Sequence, residues 1–210
     1  MAVSGVAFIA FVLVHMYGNL KAFNGHDAYN QYAAHLRSIG EPELPHEGML
    51  WAIRLVLIGA LVVHVACAAV LWRRAGKARS MRYVMKRNLS STLSSRMMRW
   101  GGLTILLFLV WHLLNFTIGK VNVTGGGTDD PYDLLVDSFQ AWWLTAIYLV
   151  AMAALGMHLR HGVWSAAQTL GLTNNARARR NANVLGVLLA VVIAGGFSLV
   201  PIFTLVGVIS

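Results

Sequence analysis

The chain has 210 residues, of which 57% are hydrophobic and only 12% are charged. Soluble domains usually carry about 25% charged residues, so this composition excludes an ordinary soluble protein and predicts an all-α membrane protein. The formal charge of +9 does not indicate nucleic-acid binding, because the basic residues adjoin apolar runs. The single cysteine, Cys67, excludes an intrachain disulfide and a four-cysteine iron–sulfur cluster.

Five apolar runs are long enough, at about 20 residues each, to cross a bilayer core of roughly 30 Å. They predict one domain over residues 1–210, a bundle of five transmembrane helices near 2–23, 49–72, 99–119, 139–160 and 184–208. No aspartate or glutamate lies inside any of these runs. Buried carboxylates are the usual proton relays of pumps and transporters, so the sequence does not favour a transporter.

The distribution of charge predicts an orientation. Basic residues are concentrated around the second and fourth connections between the spans. All eight acidic residues lie in the first and third connections: Asp27, Glu41, Glu43, Glu47, Asp129, Asp130, Asp133 and Asp137. Because cytoplasmic loops carry the excess of Lys and Arg, we expect a cytoplasmic N-terminus and a C-terminus outside.

Histidines occur in the first four spans, one in each: His15, His64, His112 and His158. A single histidine in a span has an ordinary explanation, which is a hydrogen bond to a neighbouring helix. One histidine in each of four successive spans is less easily explained in this way. Whether these histidines can act together in pairs depends on their depths in the membrane.

The first and third helices are predicted to run outward, and their histidines match in depth. His15 precedes Lys21 by six residues, a rise of about 9 Å along a helix. His112 precedes Lys120 by eight residues, a rise of about 12 Å. Both histidines are therefore expected in the outer half of the membrane.

The second and fourth helices are predicted to run inward, and their histidines match more loosely. His64 lies nine residues before Arg73, about 13 Å, whereas His158 lies only two residues before Arg160. Both are expected in the inner half.

Two histidines at a common depth on different helices are the ligand set of a bis-axial haem buried between helices. Two such pairs would hold two haems, one above the other. Zinc or copper fits less well, since no carboxylate or thiolate is expected to complete a closed site. A Rieske-type cluster needs two cysteines, so only a partner subunit could complete one.

Several stretches carry a family resemblance: Phe11–Phe23 (FVLVHMYGNLKAF), Tyr29–Arg37 (YNQYAAHLR), Ala78–Lys86 (ARSMRYVMK), Ser94–Gly102 (SSRMMRWGG), His112–Gly119 (HLLNFTIG) and Ala151–Gly171. In these stretches, and in having one histidine in each of four helices, the chain resembles the single-chain, five-helix, dihaem cytochrome b subunit of succinate:quinone oxidoreductases. That family comprises succinate dehydrogenases and fumarate reductases. The resemblance covers nearly the whole chain.

The resemblance implies a multi-pass subunit of the cell membrane that anchors a flavoprotein and an iron–sulfur subunit on the cytoplasmic face. It implies two haems b, with His64 and His158 binding the proximal one and His15 and His112 the distal one. Electrons would pass to a membrane quinone, commonly menaquinone in Gram-positive relatives, so the chain would serve an enzyme without acting on the succinate carbons. Membrane lipid is a further expected partner, and a higher oligomer of the complex is left open.

Four side chains near the predicted membrane surfaces are candidates for binding haem propionates: Arg54, Arg96, Arg99 and His161. Each has an alternative. The arginines can snorkel to the interface, Arg54 can pair with Glu47, and His161 can contact the partner subunit. The polar stretch after His158, from His161 to Gly171, is expected to meet the soluble subunits.

Two other functions remain open at this point. One is a haem b subunit of a different respiratory complex, of the hydrogenase or formate dehydrogenase type. The other is a structural anchor without a cofactor. For the quinone site, the outer end near the first three helices is favoured, and the cytoplasmic end competes with it.

Overall fold

The computed structural model describes residues 1–77, 93–118, 121–123 and 129–210, and the side chains of residues 93–96 are not among those described. The Ala78–Lys86 motif, Gly119, Lys120 and the side chain of Arg96 therefore lie outside the described part of the chain. All regular structure within the described part is helical, which confirms the predicted all-α fold.

Seven α-helices follow one another along the described part of the chain: α1 (Ala2–Leu20), α2 (His26–Ser38), α3 (Gly48–Lys77), α4 (Leu93–Leu113), α5 (Pro131–Gln140), α6 (Trp142–Thr169) and α7 (Ala176–Leu205). A 3₁₀ turn at Lys21–Asn24 extends α1, and a π-helical turn at Leu114–Ile118 extends α4. Among the described residues, five helices are long and apolar enough to span a membrane: α1 with its 3₁₀ turn, α3, α4 with its π turn, α6 and α7.

These five helices confirm the five predicted spans, but several helix ends differ from the prediction. The fourth span, α6, continues to Thr169 instead of ending near residue 160. The polar stretch after residue 160 was expected to follow the span. In the structure, the part of it up to Thr169 belongs to the same helix. A helix can continue past the bilayer core because its backbone remains hydrogen-bonded internally while polar side chains reach the interface.

The connections define the two ends of the bundle. The first connection and the described part of the third lie at what we call the acidic end, whereas α3 and α6 end, and α4 and α7 begin, at the opposite end, which we call the basic end. Tryptophans lie exposed near both ends: Trp51 and Trp142 near the acidic end, Trp72 and Trp100 near the basic end. This arrangement is typical of the aromatic belts at the two membrane interfaces.

Two short helices, α2 and α5, occupy the connections at the acidic end and were not predicted. The α5 helix begins at an N-cap, Asp130, whose carboxylate accepts hydrogen bonds from the backbone N–H groups of Tyr132 (2.8 Å) and Asp133 (3.0 Å). Pro131 occupies the first turn, where its missing N–H has no cost. The Asp–Pro pair was therefore a helix-start signal within a connection treated as a loop.

A polar cluster joins α2 to the start of α5. The Asn30 amide donates a hydrogen bond of 2.6 Å to the Asp130 carboxylate. His26 Nε2 lies 3.1 Å from the same carboxylate and 3.9 Å from that of Asp133, while its Nδ1 lies 3.1 Å from Asp27. The hydrogen bond to Asp27 is the main cause that raises the pKa of His26, desolvation opposes it, and the neighbouring carboxylates add to the rise.

Helix α6 is the central element of the bundle, because it packs against α7, α4, α1 and α5. Toward the acidic end its Leu144 and Tyr148 are buried against α5. Further along, α6 crosses α7 closely at Gly186, where an added Cβ would lie 2.8 Å from the carbonyl oxygen of Arg160. Only glycine permits this approach of the two backbones.

Replacing Gly186 by alanine is expected to lower the melting temperature of the detergent-solubilised complex. The new Cβ meets backbone, which cannot rotate away, so overpacking should cost about 1–3 kcal/mol. Gly195→Ala is the matched control on the same helix, since a Cβ there meets nothing within 4 Å. A Gly186→Ala protein as stable as Gly195→Ala would contradict the close crossing.

The α2–α5 contact is expected to weaken as the pH rises. The pKa of His26 is raised above 6.5, chiefly by Asp27 within α2, and the carboxylates of Asp130 and Asp133 at the start of α5 add to the rise. Their attraction for His26 is therefore complete below pH 6.5 and is lost as the pH rises through the raised value. Burial alone would raise the pKa of Asp130, but hydrogen bonds from Asp133, Asn30 and Tyr132 lower it below 3.8, so Asp130 is ionised throughout.

The measurement is hydrogen–deuterium exchange of α2, corrected for intrinsic exchange, with more protection expected at pH 6 than at pH 9. His26→Gln should abolish the difference. His46→Gln should keep it, because His46 pairs with Glu41 (2.8 Å) outside α2. Equal protection of the unmodified protein at both pH values would show that His26 does not hold the contact.

Candidate functional site

His15 of α1 and His112 of α4 face each other toward the acidic end. Their ring centroids are 5.8 Å apart and their planes are inclined by 81°. Aromatic rings surround them: Phe11 stacks on His15 at 5.3 Å, Phe197 lies 5.6 Å from His15, and Phe108 lies 5.7 Å from His112. We call these two histidines the acidic-end pair.

His64 of α3 and His158 of α6 form a second pair, the basic-end pair, with ring centroids 6.3 Å apart. A glycine lies beside each ring. A Cβ on Gly102 would lie 3.4 Å from Cε1 of His158, and one on Gly5 would lie 3.9 Å from Cε1 of His64. The absence of side chains at these two positions leaves space next to the imidazoles.

Both pairs have a spacing that accommodates a metal ion between the rings. A metal–imidazole bond is about 2 Å long, so two rings on opposite sides of one ion have centroids roughly 6 Å apart. The packing of α3 also fits a prosthetic group. Helix α3 packs chiefly against α1 and α2, yet its His64 faces His158 of α6, so a group bound between these two imidazoles would lie between two helices that do not chiefly pack against each other.

His158 adds an independent indication. Its Nδ1 is buried and forms no hydrogen bond of good geometry with a described residue, although the ring interacts with the backbone of Met98 on α4. An unpaired polar atom in an apolar interior is costly. The polar atoms of His158 are thus only partly satisfied within the described part of the chain.

Two of the four imidazoles have hydroxyl partners that the sequence analysis missed. His64 Nδ1 lies 3.1 Å from the Ser4 hydroxyl, and His112 Nδ1 lies 3.3 Å from the Tyr148 hydroxyl. In each case the second ring nitrogen, Nε2, has no hydrogen bond within the described part of the chain and is free to bind a ligand. Such outer partners orient metal-binding histidines and fix their tautomers.

Asn115 is a further polar residue that the sequence analysis missed. It lies in the π turn that ends the third span and is fully buried, with 0% of its surface exposed. Its amide donates to the carbonyl of Val121 (2.8 Å) and to the hydroxyl of Ser138 (3.2 Å), and its oxygen accepts from Tyr148 (3.1 Å). An amide inside a span, three residues after a histidine, was the available signal.

The predicted propionate contacts are placed as follows. Arg54 lies 3.9 Å from the Glu47 carboxylate, which also binds Arg37, and stacks over Trp51 at 4.9 Å. Arg99 stacks over the ring of Trp72 at 5.3 Å. His161 is half-buried on α6, one turn after His158. Both arginines thus stack on tryptophans near the ends of the spans, where snorkelling side chains are common.

Comparison with known proteins finds a matching family and a similar protein. The family model described as the succinate dehydrogenase/fumarate reductase transmembrane subunit matches residues 74–195. The succinate dehydrogenase cytochrome b558 subunit of Bacillus subtilis (strain 168) is 25% identical over 170 residues, which are 81% of this chain and 76% of that protein. No solved structure matches.

Replacing Asn115 by leucine is expected to destabilise the bundle. The change leaves the buried hydroxyls of Ser138 and Tyr148 without their partner, at a cost of about 1–3 kcal/mol for an unsatisfied buried group. The readout is the melting temperature of the solubilised complex. Asn19→Leu is the control, because that amide makes a single bond to the carbonyl of His15 in its own helix (2.9 Å). Equal melting temperatures for the two variants would contradict the role of Asn115.

Proposed function

We propose that this chain, which belongs to the family of succinate dehydrogenase/fumarate reductase transmembrane subunits, is a cytochrome b that conducts electrons across its bundle through two haems b. Electrons would enter from an iron–sulfur subunit that is docked with a flavoprotein subunit, and would leave to a membrane quinone. In this function the whole chain is one membrane-spanning domain of the cell membrane.

The observation that supports the proposal most directly is the arrangement of the four intramembrane histidines as two facing pairs. His15 and His112 would hold one haem, and His64 and His158 the other. Each pair joins two different helices, so each haem would be bound between helices with an imidazole on either face. The cytochrome b558 name of the Bacillus subtilis relative agrees with this reading.

When bound, haem iron supplies reversible one-electron exchange at a potential that its axial ligands and their hydrogen bonds adjust. The chain's own residues position the ligands and exclude water. The phenylalanines around the acidic-end pair give it apolar surroundings, and the glycines beside the basic-end pair keep other side chains away from His64 and His158. Arg54, Arg96, Arg99 and His161 remain the candidates for propionate contacts.

The basic end is the proposed docking side for the soluble subunits, in agreement with the positive-inside rule. The last turns of α6, from His161 onward, project at this end. We place quinone reduction at the acidic end, because the described carboxylates lie there beside His26 and can exchange protons with water. Menaquinone is the acceptor that the family resemblance favours.

Single replacements of the four histidines by alanine test the pairing. Each is expected to remove about half of the haem from the purified complex, because a haem that loses one of its two axial ligands is not retained. The measurement is a pyridine haemochrome count with a reduced-minus-oxidised spectrum. The double variant His64→Ala/His158→Ala should lose no more haem than either single change, whereas His64→Ala/His15→Ala should lose all of it.

His35→Ala, in the first connection, is the control and should keep both haems. Absence of any b-type band in the unmodified complex would favour the cofactor-free anchor. Loss of all haem in the His64→Ala/His158→Ala protein would overturn the pairing. Co-purification with a hydrogenase or formate dehydrogenase subunit, in place of a flavoprotein, would assign the chain to a different complex.

A further inference from the structure

A chain of buried polar groups leads away from the acidic-end pair. It runs from His112 Nδ1 to the Tyr148 hydroxyl (3.3 Å), then to Asn115 Oδ1 (3.1 Å), and from the Asn115 amide to the Ser138 hydroxyl (3.2 Å). Tyr148 is 5% exposed, and Asn115 and Ser138 are fully buried. Four polar groups so deep in a membrane protein are expected to have a definite arrangement of hydrogens.

The carbonyl of Val121 fixes the direction of the hydrogen bonds from Asn115 back to His112. A carbonyl can only accept, so the Asn115 group that lies 2.8 Å from it must be the NH₂ group. The other amide atom, facing Tyr148, is therefore the oxygen and must accept. Tyr148 has one hydroxyl hydrogen, which it donates to Asn115, and its oxygen can then only accept from His112.

The consequence is a fixed tautomer of His112. Nδ1 carries the hydrogen, and Nε2 keeps its lone pair for a metal. A histidine that donates its Nδ1 hydrogen to a fixed acceptor is a more basic ligand and favours the higher oxidation state of the metal.

The basic-end pair has a shorter version of the same arrangement. The Ser4 hydroxyl donates to the carbonyl of Met1 (3.0 Å) and so can only accept from His64 Nδ1 (3.1 Å). Ser4 lies in the first turn of α1, and its hydrogen bond ends on the backbone of that turn. His64 is thus held by one hydroxyl in the first turn of α1, whereas His112 is held by a series of three buried polar groups.

We propose that Tyr148 is a positioning residue that holds the ring of His112 and keeps the reduction potential of the acidic-end haem low. The inference rests on the proposed function, because it requires a haem at this pair. Asn115, whose amide is oriented by the carbonyl of Val121, acts through Tyr148 by keeping the oxygen of Tyr148 in the accepting state.

The experiment is a redox titration of the Tyr148→Phe variant, followed by the b-type absorption band, in the His64→Ala background. That background should contain only the acidic-end haem, so the potential is read without overlap. Loss of the acceptor should raise the potential, so that the oxidised-to-reduced ratio at the former midpoint falls about tenfold, which corresponds to about 59 mV for one electron. Haem content should stay unchanged.

Thr145→Val is the matched control. Thr145 lies one turn before Tyr148 on α6, is 1% exposed, and donates its hydroxyl hydrogen to the carbonyl of Phe139 (2.8 Å). The Thr145→Val change removes a buried hydrogen bond that is not part of the series from His112 to Ser138. The reduction potential of the haem should therefore stay unchanged. In the reciprocal His112→Ala background, Ser4→Ala should raise the potential of the remaining haem.

The outcomes distinguish a failure of the proposed function from a failure of this inference. If the unmodified complex holds no haem, the proposed function fails, and if only the His64→Ala protein holds none, the pairing on which this inference rests fails. If it holds one haem whose potential is unchanged by Tyr148→Phe, or is shifted equally by Thr145→Val, the role of Tyr148 is refuted. If the Tyr148→Phe protein does not accumulate, Asn115→Ala replaces it, with a smaller rise expected because the Tyr148 oxygen is then no longer held as an acceptor, and an unchanged potential again refutes the role.

Discussion

The structure depends on one constraint, which is that polar atoms inside a bilayer must find their partners within the protein or in a bound group. His15, His64, His112 and His158 lie within the spans and stand in two facing pairs. Two of them have hydroxyl partners from other helices, at Ser4 and Tyr148. The helices of the bundle are oriented so that the histidines face each other and the hydroxyls of Ser4 and Tyr148 reach them.

Helix α6 connects the two pairs because it contributes to both. His158 belongs to the basic-end pair, and Tyr148, ten residues earlier and about 15 Å away along the helix, supports His112 of the acidic-end pair. The position of α6 is in turn fixed by its close crossing with α7 at Gly186 and by the buried cluster with α5. Packing at a distance from the histidines therefore determines how their rings are held.

The sequence predicted the five spans, because about 20 consecutive apolar residues are sufficient to specify a membrane helix. It did not predict α2 and α5, since these helices are held by contacts between two connections that are distant in sequence, such as Asn30 with Asp130. It also ended α6 too early, because hydropathy measures the apolar core of a span and does not register the polar turns that follow it.

The sequence by itself determined which five segments are long and apolar enough to span a membrane, and the constant rise along a helix allowed the expected depths of their histidines to be compared. This was enough to match His15 with His112 and His64 with His158. Only the tertiary structure decided what else each imidazole contacts. Ser4 is 60 residues from His64, and Tyr148 is 36 residues from His112. Whether such side chains meet depends on the rotation of each helix about its axis, and that rotation is set by packing between helices and not by any local pattern in the sequence.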